Sequence, residues 1–164
     1  MAHDEALQLV VPTSVVTYVD VAHLGREIEA IDAFLQQAQL RKAGESVTMP
    51  KLSAMLGELA QVNQLNLLDA SDRAKLLQFI QVLKKSAPVI HVSFAAEPSL
   101  TFLYKLCAWF RKEVSPHTLL HVGLQPSIAA GCIVRTNSKY FDFSLRQHLT
   151  QQKPELAKIL GGKE

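Results

Sequence analysis

Cysteine is scarce: Cys107 and Cys132 are the only two in 164 residues. They share no CxxC or other metal-ligand spacing, which argues against a thiolate metal site or a dithiol redox motif. Two reduced, buried thiols are expected. Glycine is sparse too, with seven residues, and neither GxxxxGKS/T nor GxGxxG occurs. No motif therefore points to a phosphate-cradling loop for a nucleotide. HExxH and GxSxG are missing as well, so the common zinc-peptidase and serine-hydrolase signatures are absent. No apolar run reaches the ~18 residues that a bilayer span needs. The opening MAHDEALQLVVP carries acids where a secretory leader carries bases, and a cytoplasmic chain is expected.

What is present is a globular composition, 48% hydrophobic and 20% charged. The net charge of +2 is unevenly spread. Residues 1–97 hold 8 Lys/Arg against 11 Asp/Glu, and residues 98–164 hold 9 against 4. The basic half could favour an acidic partner, but the excess is scattered and reads first as solvated surface.

The texture changes along the chain, and an α+β fold follows from it. Residues 1–87 read as an N-terminal helical bundle of about three helices after an extended arm. Residues 88–164 read as a small β-α-β-β-β-α domain. The arm, LQLVVPTSVVTYV, is β-branched and broken by Pro12. Leu24, Ile28, Ile31, Leu35 and Ala38 then recur at helical spacing. This stripe has Asp20 as its expected cap, and the Leu24–Ile28–Ile31–Leu35 face is a candidate surface for a partner helix. Pro50 is expected in the first turn of a second helix, with Leu52, Met55, Leu56 and Leu59 facing inward. Asp69 or Ser71 is expected to cap a third, lined by Leu76, Leu77, Ile80 and Leu83 and closed by Pro88. Beyond it, VIHVSFA (89–95) and TLLHVGL (118–124) read as strands. They flank a helix over 98–114 that turns Leu100, Leu103, Leu106, Cys107, Phe110 and Val114 inward. IAAGCIVRT (128–136) and YFDF (140–143) form a hairpin-like pair around Asn137-Ser138-Lys139. A polar helix is expected from Ser144 to about Gln152. Pro154 breaks it, and Leu156, Ile159 and Leu160 carry a last turn.

Reactive residue types cluster late in the chain. His117 and His121 have a metal-like spacing only if they lie on a helix. On the expected strand they stand roughly 13 Å apart at ~3.3 Å per residue, so no metal site is expected. His91 reads as a half-buried strand histidine. Asp142, Ser144, Arg146 and His148 fall close together, yet no matched base and oxyanion donors accompany Ser144. Ser144-Leu-Arg-Gln147 fits a capping box instead, with Asp142 at the positive end of the helix dipole. Gly131 marks a close strand approach or a bulge. No catalytic, cofactor-binding or metal-binding residue is expected.

The segment LLHVGLQPSIAAGCIVRTNSKYFDFSLRQHL (119–149) resembles the C-terminal domain of the delta subunit of bacterial F-type ATP synthases, the counterpart of the mitochondrial oligomycin-sensitivity-conferring protein. That family shows a strand, a D-P-S-(L/I)-x-G-G style turn, a second strand, a hairpin and a closing D-G-S-(I/V)-R-x-x-L. Pro126, Ser127 and Gly131 match the turn. Asp142, Ser144, Leu145, Arg146 and Leu149 match the closing motif. Ala130 and Phe143 stand where the family has glycine, and about three helices precede residue 88 where the family has a six-helix bundle. The resemblance covers about residues 86–150. It implies a non-catalytic component of the peripheral stalk, without cofactors, held at the cytoplasmic face of the membrane through its complex. Its partners would be the N-terminal segments of the alpha subunits and the C-terminal helices of the b subunit. Similar C-terminal domains in flagellar export and vacuolar-type ATPases offer a second reading. A nucleic-acid-binding α+β module is a third, weakened because adjacent Tyr140 and Phe141 point to opposite faces of a strand.

Overall fold

The computed structural model describes residues 9–40, 50–136 and 138–145. Among these the chain is α+β, with four helices and a four-stranded mixed sheet. In order they are α1 (Tyr18–Leu40), α2 (Ala54–Val62), α3 (Ala70–Ser86), β1 (Val89–Phe94), α4 (Leu100–Glu113), β2 (Leu119–Leu124), a 3₁₀ turn (Pro126–Ile128), β3 (Gly131–Arg135) and β4 (Tyr140–Ser144). Two compact units divide the chain. The first takes residues up to Pro88 together with Tyr104–Leu119; the second takes Val89–Leu103 and the residues from Leu120 onward. Of the helix expected from Ser144 to about Gln152, Ser144 is instead the last residue of β4 and Leu145 is helical; the rest, with the turn at 156–160, lies outside the described residues.

In the first unit, α1 packs chiefly on α3. Leu24, Ile28 and Ile31 are buried in one core with Leu56, Leu59, Leu76, Phe79, Ile80 and Leu83, and Leu35 packs at its margin. Burial of each such side chain is worth about 1.5–3 kcal/mol. The face expected to meet a partner helix is thus covered by this chain's own residues. Gly25 lets the helices close up, since a Cβ there would lie 3.2 Å from Ile80 Cγ2. A largely buried ion pair ties the same helices. Arg73 donates from Nε to Asp32 Oδ1 at 2.9 Å, its Nη2 lies 2.8 Å from the same oxygen, and Nη1 donates to the Leu67 carbonyl.

Capping departs from expectation in two places. Thr17, not Asp20, caps α1: its hydroxyl accepts from the Asp20 amide, and the Asp20 carboxylate accepts from the Thr17 and Val16 amides. That is a reciprocal capping box. Helix α2 begins after Ser53, whose hydroxyl accepts from the Leu56 amide and donates to Glu27 Oε2. Pro50 therefore precedes the helix, and Leu52 is exposed. Asp69 caps α3 by accepting from the Ser71 and Asp72 amides. In α4, Cys107 and Phe110 are buried as expected, but Leu100 at its first residue and Val114 just past its last are exposed.

The arm is held by side chains distant in sequence. Val11 and Val15 enter the core of the first unit. Arg111, half-buried on α4, donates to the carbonyls of Val11, Pro12, Val15 and Thr118. Asn63 exchanges two hydrogen bonds with the Val10 backbone, and the His117 ring meets the Leu9 carbonyl. Three carbonyls of the arm and that of Thr118 share one guanidinium, so an irregular segment finds partners for its backbone acceptors in a side chain.

The sheet has the order β2-β1-β3-β4. The β1–β3 and β3–β4 ladders are antiparallel. Leu119 N–H donates to Pro88 C=O and Gln125 N–H to Phe94 C=O. Both bonds carry the same sequence offset, so β1 and β2 run parallel.

Candidate functional site

The two halves of the 126–149 motif meet at the start of the β3–β4 hairpin. Pro126 opens the 3₁₀ turn, followed by Ser127, and buried Ile128 anchors it. Ala129 has φ 67° and ψ −55°, and the Ala130 amide donates back to the Ile128 carbonyl at 2.9 Å. This is a γ-turn in the strained, positive-φ form. Gly131 follows at φ 91° and pairs with Ser144 across the ladder. A Cβ on Gly131 would strike the Phe143 carbonyl oxygen and sit 3.1 Å from Ser144 Cα. The Leu145 amide donates to the Ala130 carbonyl at 2.9 Å. Pro126, Ser127 and Gly131 are thereby joined to Asp142, Ser144 and Leu145. Arg146, Gln147 and Leu149 lie outside the described residues.

Asp142 Oδ1 accepts from the Ser144 amide at 2.8 Å. A carboxylate bound to the backbone amide two residues on closes an Asx-type turn. Ser144 itself is buried at the end of β4. The Phe143 ring, at the position of the family glycine, is 62% exposed. It lies beside Phe141 with centroids 6.2 Å apart and planes 13° apart.

The sheet has two unlike faces, because paired residues share a side and successive residues alternate. On one face the registers align Val92 with Val134 and Phe141, and Phe94 with Cys132 and Phe143. Phe102 meets Phe94 edge-on at 6.0 Å. Burial raises the Cys132 thiol above its ordinary pKa. Phe141, Phe143, Phe102 and Leu124 leave this side with exposed apolar surface.

The other face is polar. His91 pairs with Arg135, and Arg135 with Tyr140. The His121 ring lies 4.8 Å from the His91 ring. One row, His121–His91–Arg135–Tyr140, thus crosses all four strands. Beside it run Gly123, Ser93 and Ile133, and the rows border a hollow of about 750 Å³. His91 is exposed here, not half-buried as expected, because β1 turns its alternate residues to an open face. His117 belongs to the first unit, where it meets Phe79 edge-on. Among the described residues no cluster of three or more His, Cys, Asp or Glu could hold a metal ion. The row was legible only as isolated residues. A period-2 polar pattern, His91-x-Ser93 and His121-x-Gly123-x-Gln125, was the available signal, and the strand order that joins it was not.

No family model matches the chain, and no curated protein matches it.

Proposed function

We propose that this chain is a non-catalytic stator component of an F-type ATP synthase, linking the catalytic alpha/beta head to the b subunit of the peripheral stalk and resisting rotor torque. The observation that carries this reading is the meeting of the two motif halves at Gly131 and Ser144. Among the described residues, those that resemble the delta-subunit pattern are grouped around one hairpin corner. The exposed Phe141 and Phe143 rings offer apolar surface of the kind an amphipathic partner helix covers, and a C-terminal helix of the b subunit is the partner it would take. On this reading α1–α3 are a reduced version of the family's N-terminal helical bundle, and N-terminal segments of the alpha subunits dock on that half. The chain would sit at the cytoplasmic face of a membrane through its complex; no helix among the described residues is long and apolar enough to cross one. Affinity isolation of the native protein from gently solubilised membranes tests the proposal. Alpha, beta and b subunits should co-purify, and recovery of none of them would sink it.

A further inference from the structure

We infer that the polar face of the sheet binds a small phosphate-bearing ligand, with Arg135 as its central contact. The inference stands on the second unit alone and is independent of the stator reading. In the row His121–His91–Arg135–Tyr140 the strand spacing of ~4.8 Å sets a length of about 14 Å. All four side chains are exposed, and all four end in groups that donate hydrogen bonds. Arg135 stands in register between His91 and Tyr140, so its guanidinium has planar neighbours on both sides. Among the described residues no carboxylate pairs with it. Asp142 is the carboxylate on the same face, one row away. It is engaged with the Ser144 amide and does not border the hollow.

The shape selects the size of the ligand. Gly123 contributes no side chain, and even a Cβ there would only reach ordinary contact with Ser93 Oγ at 3.6 Å. The floor is low beside a raised row, which gives the hollow of about 750 Å³. Sites for single small molecules fall at roughly 300–1,000 Å³. The chemistry selects the charge. A guanidinium fork matches two phosphoryl oxygens, and flanking N–H and O–H donors can reach a third. A carboxylate has only two oxygens and would leave the flanking donors unused. A phosphate monoester also carries about −1.5 to −2 charges near neutral pH, which complements the one fixed positive charge of the row.

Titration of the full-length protein with inorganic phosphate, AMP and adenosine, followed by backbone and imidazole NMR shifts, tests the proposal. Phosphate and AMP should each give saturable shifts centred on His91, His121, Arg135 and Tyr140. Equal affinities assign the site to the phosphoryl group alone, and AMP at least tenfold tighter assigns it to a nucleoside phosphate. Arg135→Gln should weaken binding at least tenfold, and His121→Asn, on a different strand, should weaken it several-fold if the first variant fails to fold. Lys112→Gln, an exposed charge on α4, should leave binding unchanged. Absence of saturable shifts with both phosphate and AMP overturns the inference. So does an equal loss with Lys112→Gln, or adenosine binding as tightly as AMP. A ten-nucleotide RNA bound far more tightly than AMP, with steep salt dependence, would replace the small ligand with a nucleic acid and overturn it too.

Discussion

Gly131 and Ser144 face each other across the β3–β4 ladder with no room for a methyl group between them. The glycine therefore answers two demands at once, a φ of 91° and a backbone approach from Phe143 and Ser144. Gly131→Ala must strain the backbone and push β4 away. A loss of roughly 2–4 kcal/mol is expected from these combined costs. Urea unfolding of the two proteins checks it; a loss below about 1 kcal/mol would mean that the corner is not rigidly built.

Arg111 is the hinge pin of the arm. Arg111→Met keeps the aliphatic stem but removes the guanidinium donor from the carbonyls of Val11 and Val15, and leaves Pro12 with only the Val15 amide and Thr118 with only the Cys107 thiol. The expected cost is about 2–4 kcal/mol, of the size found for buried polar groups left unpaired. Arg111→Lys should recover only part of it, since an ammonium cannot spread over the same fork of acceptors. Limited proteolysis should cut first near residues 9–16 in both variants. If the arm stays as resistant as in the parent protein, the clamp is not what holds it.

The Asp32–Arg73 pair joins α1 to α3 with Arg73 buried and Asp32 one-third exposed. Asp32→Asn leaves a buried guanidinium with an uncharged acceptor. A loss of about 1–3 kcal/mol is expected, below the full cost of an enclosed pair because water reaches the carboxylate. Thermal melts of D32N, R73M and the double variant would measure the coupling. Additive losses would show that the two side chains act independently.

Cys107 is buried on α4, with its thiol directed at the Thr118 carbonyl at 3.7 Å. Desolvation raises its pKa; Arg111 opposes the shift and Asp20 adds to it. The folded thiol thus holds its proton at a pH where the unfolded one loses it. Above the ordinary thiol range the unfolded state binds fewer protons, so stability falls as pH rises. Iodoacetamide at pH 8 should label Cys107 more slowly than Cys132 and orders of magnitude more slowly than an unfolded thiol. Its rate should climb with added urea in step with global unfolding. Fast labelling of native Cys107 would contradict its burial.

The elements were legible where one period dominated. The 4-3-4 spacing of Leu24, Ile28, Ile31 and Leu35 marked α1, and β-branched runs marked β1 and β2. Caps were harder. Asp20 carries the right side chain, yet Thr17 stands three residues before it and completes a reciprocal box, a distinction that only the helix start decides. Pro50 fits a first turn, but Ser53 offers both a hydroxyl for Leu56 and a partner in Glu27, and the helix begins there. The hairpin corner was legible as a motif, and Gly131 as a site of close approach. The polar row was not, because His91, His121, Arg135 and Tyr140 come from four strands. Their alignment depends on which strand lies beside which. Arg111 was hidden for a different reason: its acceptors are backbone carbonyls, which leave no trace in side-chain pattern.

The clamp on the arm also sets an order of events during synthesis. Val11, Pro12 and Val15 reach Arg111 across sequence separations of 100, 99 and 96 residues. At ~5–20 residues per second, the ribosome delivers the arm several seconds before the residue that fastens it. The arm is made well before the residue that clamps it, and nascent chains halted ahead of residue 111 should leave it open to protease.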